Sequence, residues 1–186
     1  MTTRIVRSIG TALLVLGLAA PGLALAGDAK GCSILGTWFG FDPANNDALT
    51  GWVVSATGNS NNAGTNSLEY LNLDPTMGML FPSAVQMNTM HGVWERTGGN
   101  TFNWTMIGYA VDAAGDIVWV GKLTGNTLAS NDCSVETILD TKLWIYAPDQ
   151  NPYTGELMVL PYGVLNPIEF PTHYGFRATV EVPEAE

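Results

Sequence analysis

His91 and Glu95 are the ionisable residues best spaced for chemistry in this chain. In an extended strand, residues four apart share a face and lie roughly 13 Å apart along it. Such a pair can flank a ligand and meet its polar end, but its members cannot touch each other. Catalysis by either would need a pKa near the working pH and a partner within hydrogen-bond reach. Their orientation depends on the turn at Gly98-Gly99. A loop of two or four residues sets Glu95 opposite Phe102, Val93 opposite Trp104 and His91 opposite Met106, on the apolar face. An odd loop turns Trp94 and Arg96 inward instead, because a one-residue slip exchanges the faces. Gly98-Gly99 suits the two-residue loop, so the favoured reading places His91 and Glu95 inside. There they would anchor a ligand among Phe102, Trp104 and Met106. A buried histidine bonded to a backbone carbonyl is the plainer alternative.

The elements around this pair read as β throughout. His91 to Thr127 forms three strands joined by tight turns at Thr97–Asn100 and Asp112–Asp116, whose residues tolerate left-handed φ or bond their own backbone. Thr101 to Val111 is aromatic and β-branched, without proline. Upstream, Ser33–Phe41, Gly51–Thr57 and Leu68–Leu73 read as strands, and the Asn/Gly-rich 58–66 as a hairpin tip. Downstream, Cys133–Ala147 and His173–Val182 are further strands. Pro148–Tyr153 is a turn, short apolar runs surround Pro161, and Asn166–Pro171 is irregular. About eight strands in meander order predict an all-β fold, an antiparallel up-and-down β-barrel, over a sandwich.

One stretch breaks the pattern. Thr76 to Met90 is apolar, methionine-rich and without clean periodicity, and is read as a loop. Methionine suits irregular surfaces, so the stretch is either a hydrophobic plug or a gate over a ligand mouth. Met79 and Met87 are its candidate ligand contacts. Trp104 and Trp119 are the aromatic candidates for the cavity wall. A bulge at Gly115 would turn Trp119 outward.

The ends and the composition bound the function. Residues 1–26 carry Arg4 and Arg7, an apolar run from Thr11 to Ala20, and Ala24-Leu25-Ala26, the parts of a cleaved secretory signal. Pro21-Gly22 breaks the apolar run, which is too short for a membrane anchor. The mature 27–186 would be a single domain, periplasmic or secreted, of roughly 160 residues, enough for one core. The formal charge of −10 argues against nucleic acid and anionic membranes. In an oxidising compartment, Cys32 and Cys133, the only cysteines, favour a disulfide over two buried thiols. Two cysteines and two histidines without ligand spacing give no zinc site. Asp42, Asp47 and Asp74 lack calcium-loop spacing. No phosphate loop, dinucleotide fingerprint or nucleophile elbow is present, so no cofactor is expected.

Gly36-Thr37-Trp38 in the first strand and Arg177 in the last resemble the lipocalins and their calycin relatives. In that family the tryptophan closes the barrel base and a late arginine packs across it, roles the resemblance gives to Trp38 and Arg177. The Thr-Asp-Tyr motif of classical lipocalins is absent. His91-Gly92-x-Trp94-x-Arg96-Thr97-Gly98 is also similar to a group of small exported bacterial barrels, most without assigned activity. The resemblance implies a small apolar molecule bound in the barrel. Two alternatives remain: an isomerase or cyclase of the allene-oxide-cyclase type, and a packed structural barrel with no ligand.

Overall fold

The computed structural model describes residues 31–41, 51–58, 62–70 and 75–179. The signal-like segment, the aspartates at 42, 47 and 74, and the end of the last strand lie outside them. The elements are β1 Gly36–Phe41, β2 Gly51–Thr57, β3 Ala63–Tyr70, α1 Pro75–Leu80, β4 Gln86–Met87, β5 Met90–Gly98, β6 Thr101–Val111, β7 Ile117–Ala129, β8 Val135–Tyr146, a 3-10 turn Pro161–Gly163, β9 Ile168–Glu169 and β10 His173–Arg177. Strands β1, β2, β3, β5, β6, β7, β8 and β10 pair antiparallel with their neighbours in that order. β10 bonds both β8 and β1, which closes an eight-stranded barrel. Closure pairs the edge strands that an open sheet would leave exposed.

Burial follows the alternation of the strands. In β6, Phe102, Trp104, Met106 and Ala110 are buried while their sequence neighbours are partly or fully exposed. Glycines make room for the indoles. Trp104 lies against Gly125 of β7, and Trp52 against Gly40 of β1 and Gly175 of β10. A Cβ at any of the three would stand within 2.7 Å of the ring.

One end, the base, is sealed by the lead into β1. Trp38 is fully buried and donates its indole N–H to Ile34 O at 2.8 Å. The Arg177 guanidinium sits 5.4 Å from the Trp38 ring centroid and donates to Leu35 O. Arg96 makes a second, similar clamp, 4.8 Å over the Phe102 ring and bonded to Cys32 O at 2.6 Å. Cys32 and Cys133 form the disulfide, Cα atoms 5.3 Å apart, tying the same lead to the turn before β8.

Two segments depart from the sequence reading. β3 begins at Ala63, so half of the expected hairpin tip is strand. The methionine-rich stretch is not all loop: it forms α1 and the two-residue β4. Leu80, Phe81 and Ala84 are buried from it, and Phe81 packs 5.7 Å from Trp119 at the end of the barrel opposite the base.

Candidate functional site

The expected anchors point away from the barrel. Trp94 pairs with Trp104 and Arg96 with Phe102, and a register shift between Arg96 and Gly98 leaves Thr97 as an extra residue. The loop is indeed two residues, Gly99 and Asn100, but the bulge beside it reverses the phase. His91 and Glu95 are therefore exposed, and Met90 and Trp94 are buried in their place. Met79, at 62 % exposure, also faces solvent. Phe102 is buried in the base under Arg96, 5.9 Å from Trp94, and does not line the cavity. The 112–116 loop is odd, with Gly115 at φ 89°, but a second shift that leaves Val118 extra, opposite Ala110 and Val111, restores the phase and keeps Trp119 inside. It contacts Phe81 and likewise lies off the cavity wall.

Between the base and Trp119 lies a cavity of about 80 Å³. Trp104, Met106 and Met87 of the expected residues line it, with Trp52, Val54, Leu68, Met90, Leu123, Ile138 and Leu143. Phe170 reaches it from the strap that follows β8. That strap is held by Asn166, whose side chain accepts from Ile145 N and donates to Ile145 O and Met158 O.

The polar part of the wall comes from strands that the motif reading passed over. Glu136 of β8 is 4 % exposed and lines the cavity, as do Thr127, Thr141, Tyr70 and His173. No described residue gives Glu136 a hydrogen bond or an opposite charge, and burial alone pushes its carboxyl up to about 8. It pairs with Gly175 of β10, where a Cβ would stand 2.6 Å from its Oε1, so the missing side chain leaves space for the carboxyl. Thr127 Oγ1 accepts the Trp104 indole N–H at 3.0 Å. By contrast, Trp52 Nε1 and Thr141 Oγ1 are buried without any partner. His173 Nδ1 lies 3.0 Å from Pro171 O, an acceptor, so Nδ1 is the donor of this bond. The His173 ring stands edge-on to Trp52 at 6.0 Å.

Two signals in the sequence point to these residues. If Arg177 faces the base, then Gly175 and His173 share its face by the period of two. Glu136 and Ile138 share a face by the same period, although Val135 and Leu139 beside them are apolar too. What hides the pattern is Asp140, with φ 49° in the left-handed region. Asp140 and Thr141 oppose a single residue between Thr124 and Asn126 of β7, so Thr141 turns inward. Asp140 remains outside and accepts from Asn126 Nδ2 at 3.0 Å.

Chemically, the cavity can enclose a compact carbon skeleton and present one carboxyl to it. Among the described residues no group of three His, Cys, Asp or Glu side chains could hold a metal ion. No family model, curated protein or solved structure matches the chain.

Proposed function

We propose that the protein is an exported, lipocalin-like barrel that carries a small, largely apolar molecule in its axial cavity. The observation that carries this reading is an apolar, aromatic-walled cavity containing one unpartnered carboxyl, that of Glu136. A carboxyl placed there costs stability, which a purely structural barrel has no reason to bear. The Trp38–Arg177 contact supports the lipocalin-like reading, and the disulfide and signal-like leader support export.

Size sets the ligand class. The cavity is smaller than the ~150 Å³ void known to accept benzene in a protein core. A molecule of about four heavy atoms fits, with a best affinity near 6 kcal/mol, or tens of micromolar. A fatty acid or retinoid would require Met87 and Phe170 to move aside. Native mass spectrometry of protein purified from its own host should show a retained small mass that denaturation releases. Bare protein that also fails to bind small alcohols or amines would end the carrier reading.

An isomerase or cyclase is the second reading, favoured by the position of the Glu136 carboxyl, whose raised pKa suits proton transfer near neutral pH. Glu136→Gln would then abolish turnover while a non-reacting substrate analogue still bound.

A further inference from the structure

The base, the cavity and the outer surface each hold groups without an assigned role. The outer face of β7 and β8 carries Lys122 within 5.3–5.7 Å of the Trp144, Tyr146 and Tyr153 rings, a cage already filled by its own cation. The strap exposes Val159, Tyr162 and Leu165, with nothing to indicate what would cover them. Glu136 is different, because its surroundings specify what it lacks.

We infer that the cavity selects a small organic monocation, an alkylamine whose ammonium pairs with the Glu136 carboxylate against the Trp52 and Trp104 walls. This rests on the cavity being the ligand site and names the chemistry of its occupant. From β7 Glu136 meets Ala129, its register partner, with Thr127 nearby on the cavity wall. From β10 it meets Gly175, with His173 two residues to one side and Arg177 two residues to the other. Arg177 is committed to Trp38 and Leu35 O at the base. His173 directs its Nδ1 to Pro171 O and shares the cavity wall. Among the described residues Tyr70 is the remaining titratable group on the wall, and no lysine or arginine lines the cavity.

No described lysine or arginine therefore pairs with the Glu136 carboxyl, and a ligand can bring that charge. Indole faces favour a cation through their quadrupole. The formal charge of −10 steers cations toward the molecule and anions away. A neutral ligand would gain none of these interactions, and a carboxylate ligand would be repelled once Glu136 is ionised.

Binding an ammonium requires the carboxylate form, so below pH 8 each bound amine displaces a proton from Glu136 to solvent. The affinity for an amine should then rise about tenfold per pH unit up to pH 8 and level off until the amine itself loses its proton. The probes are n-propylamine, n-propanol and propionate, titrated into the disulfide-intact protein at pH 6, 7 and 8. Binding is read from the indole N–H resonances of Trp52 and Trp104.

The expected result is propylamine binding that strengthens with pH, propanol binding that does not change and is the weaker at pH 8, and no response to propionate at pH 8. In Glu136→Gln the amine should lose its binding, because its buried charge has no partner, while the alcohol still binds without pH dependence. If wild-type protein binds propanol as well as propylamine, or binds the amine equally at pH 6 and 8, the inference fails while the cavity remains a ligand site. If none of the three probes moves either indole resonance, the carrier reading fails as well.

Discussion

The base of the barrel and the cavity above it are built from the same residue types, yet they treat polar atoms in opposite ways. At the base, the indole N–H groups of Trp38 and Trp94 donate to Ile34 O and Thr57 O, and two guanidinium groups satisfy the Cys32 and Leu35 carbonyls. On the cavity wall, Trp52 Nε1, Thr141 Oγ1 and the Glu136 carboxyl have no partner. Buried polar groups left unpaired cost about 1–3 kcal/mol each, and the wall concentrates them: elsewhere among the described residues only Asn66 Oδ1 and Trp119 Nε1 are left so. A region that gathers such losses is where function should be sought.

The comparison makes graded predictions. The largest effect should come from the base's covalent tie. Replacing Cys32 and Cys133 with alanine should cost about 4–5 kcal/mol in a denaturant melt, as chain entropy suggests for a loop of ~100 residues. Thiol labelling of denatured, unreduced protein should give no signal. Next, Trp38→Ala should cost about 3–5 kcal/mol, since it removes a fully buried indole from the base.

The wall should respond to pH instead. Folding raises the Glu136 pKa from 4.5 to about 8, so the folded state holds this proton where the unfolded chain releases it. Its contribution to stability is fully present below pH 4.5 and is lost as the pH climbs toward 8. The slope is about 1.4 kcal/mol per pH unit at most, and it flattens above pH 8. Melts of wild type and Glu136→Gln at pH 5, 6, 7 and 8 check this, with the variant lacking that decline. The smallest effects belong to Thr141→Val, within about 1 kcal/mol because no bond is lost, and to the exposed His91→Ala, within about 0.5 kcal/mol. A loss of 2 kcal/mol or more at Thr141 in the same melts would show that its hydroxyl is paired and would weaken the contrast.

The barrel was legible in the sequence because alternation is a property of each strand alone, and Phe102, Trp104 and Met106 show it without help from their neighbours. The base was legible through Trp38 and Arg177. The site was not, because facing depends on bulges, and a bulge is a property of two strands together. Thr97 beside Gly99-Asn100 turned His91 and Glu95 outward. Asp140 obscured the inward phase that joins Glu136 and Ile138 to Thr141. Neither bulge residue is a glycine, the usual local sign of one. The short α1 was equally hidden, since six residues are too few to display a helical period.

The Cys32–Cys133 bond also changes the topology of the molecule. Residues 32 to 133 form a covalent macrocycle that contains β1 to β7, while β8, the strap and β10 hang from it as a tail. Cutting the exposed 112–116 turn would therefore open the ring without releasing a fragment. The two new ends would remain joined through sulfur and held by the sheet on either side. The chain between the cysteines can thus be nicked, or given new termini, and still present every strand to its neighbour. A cut in the strap has no such safeguard: β10, which closes the barrel with His173, Gly175 and Arg177, would be held by hydrogen bonds and packing alone.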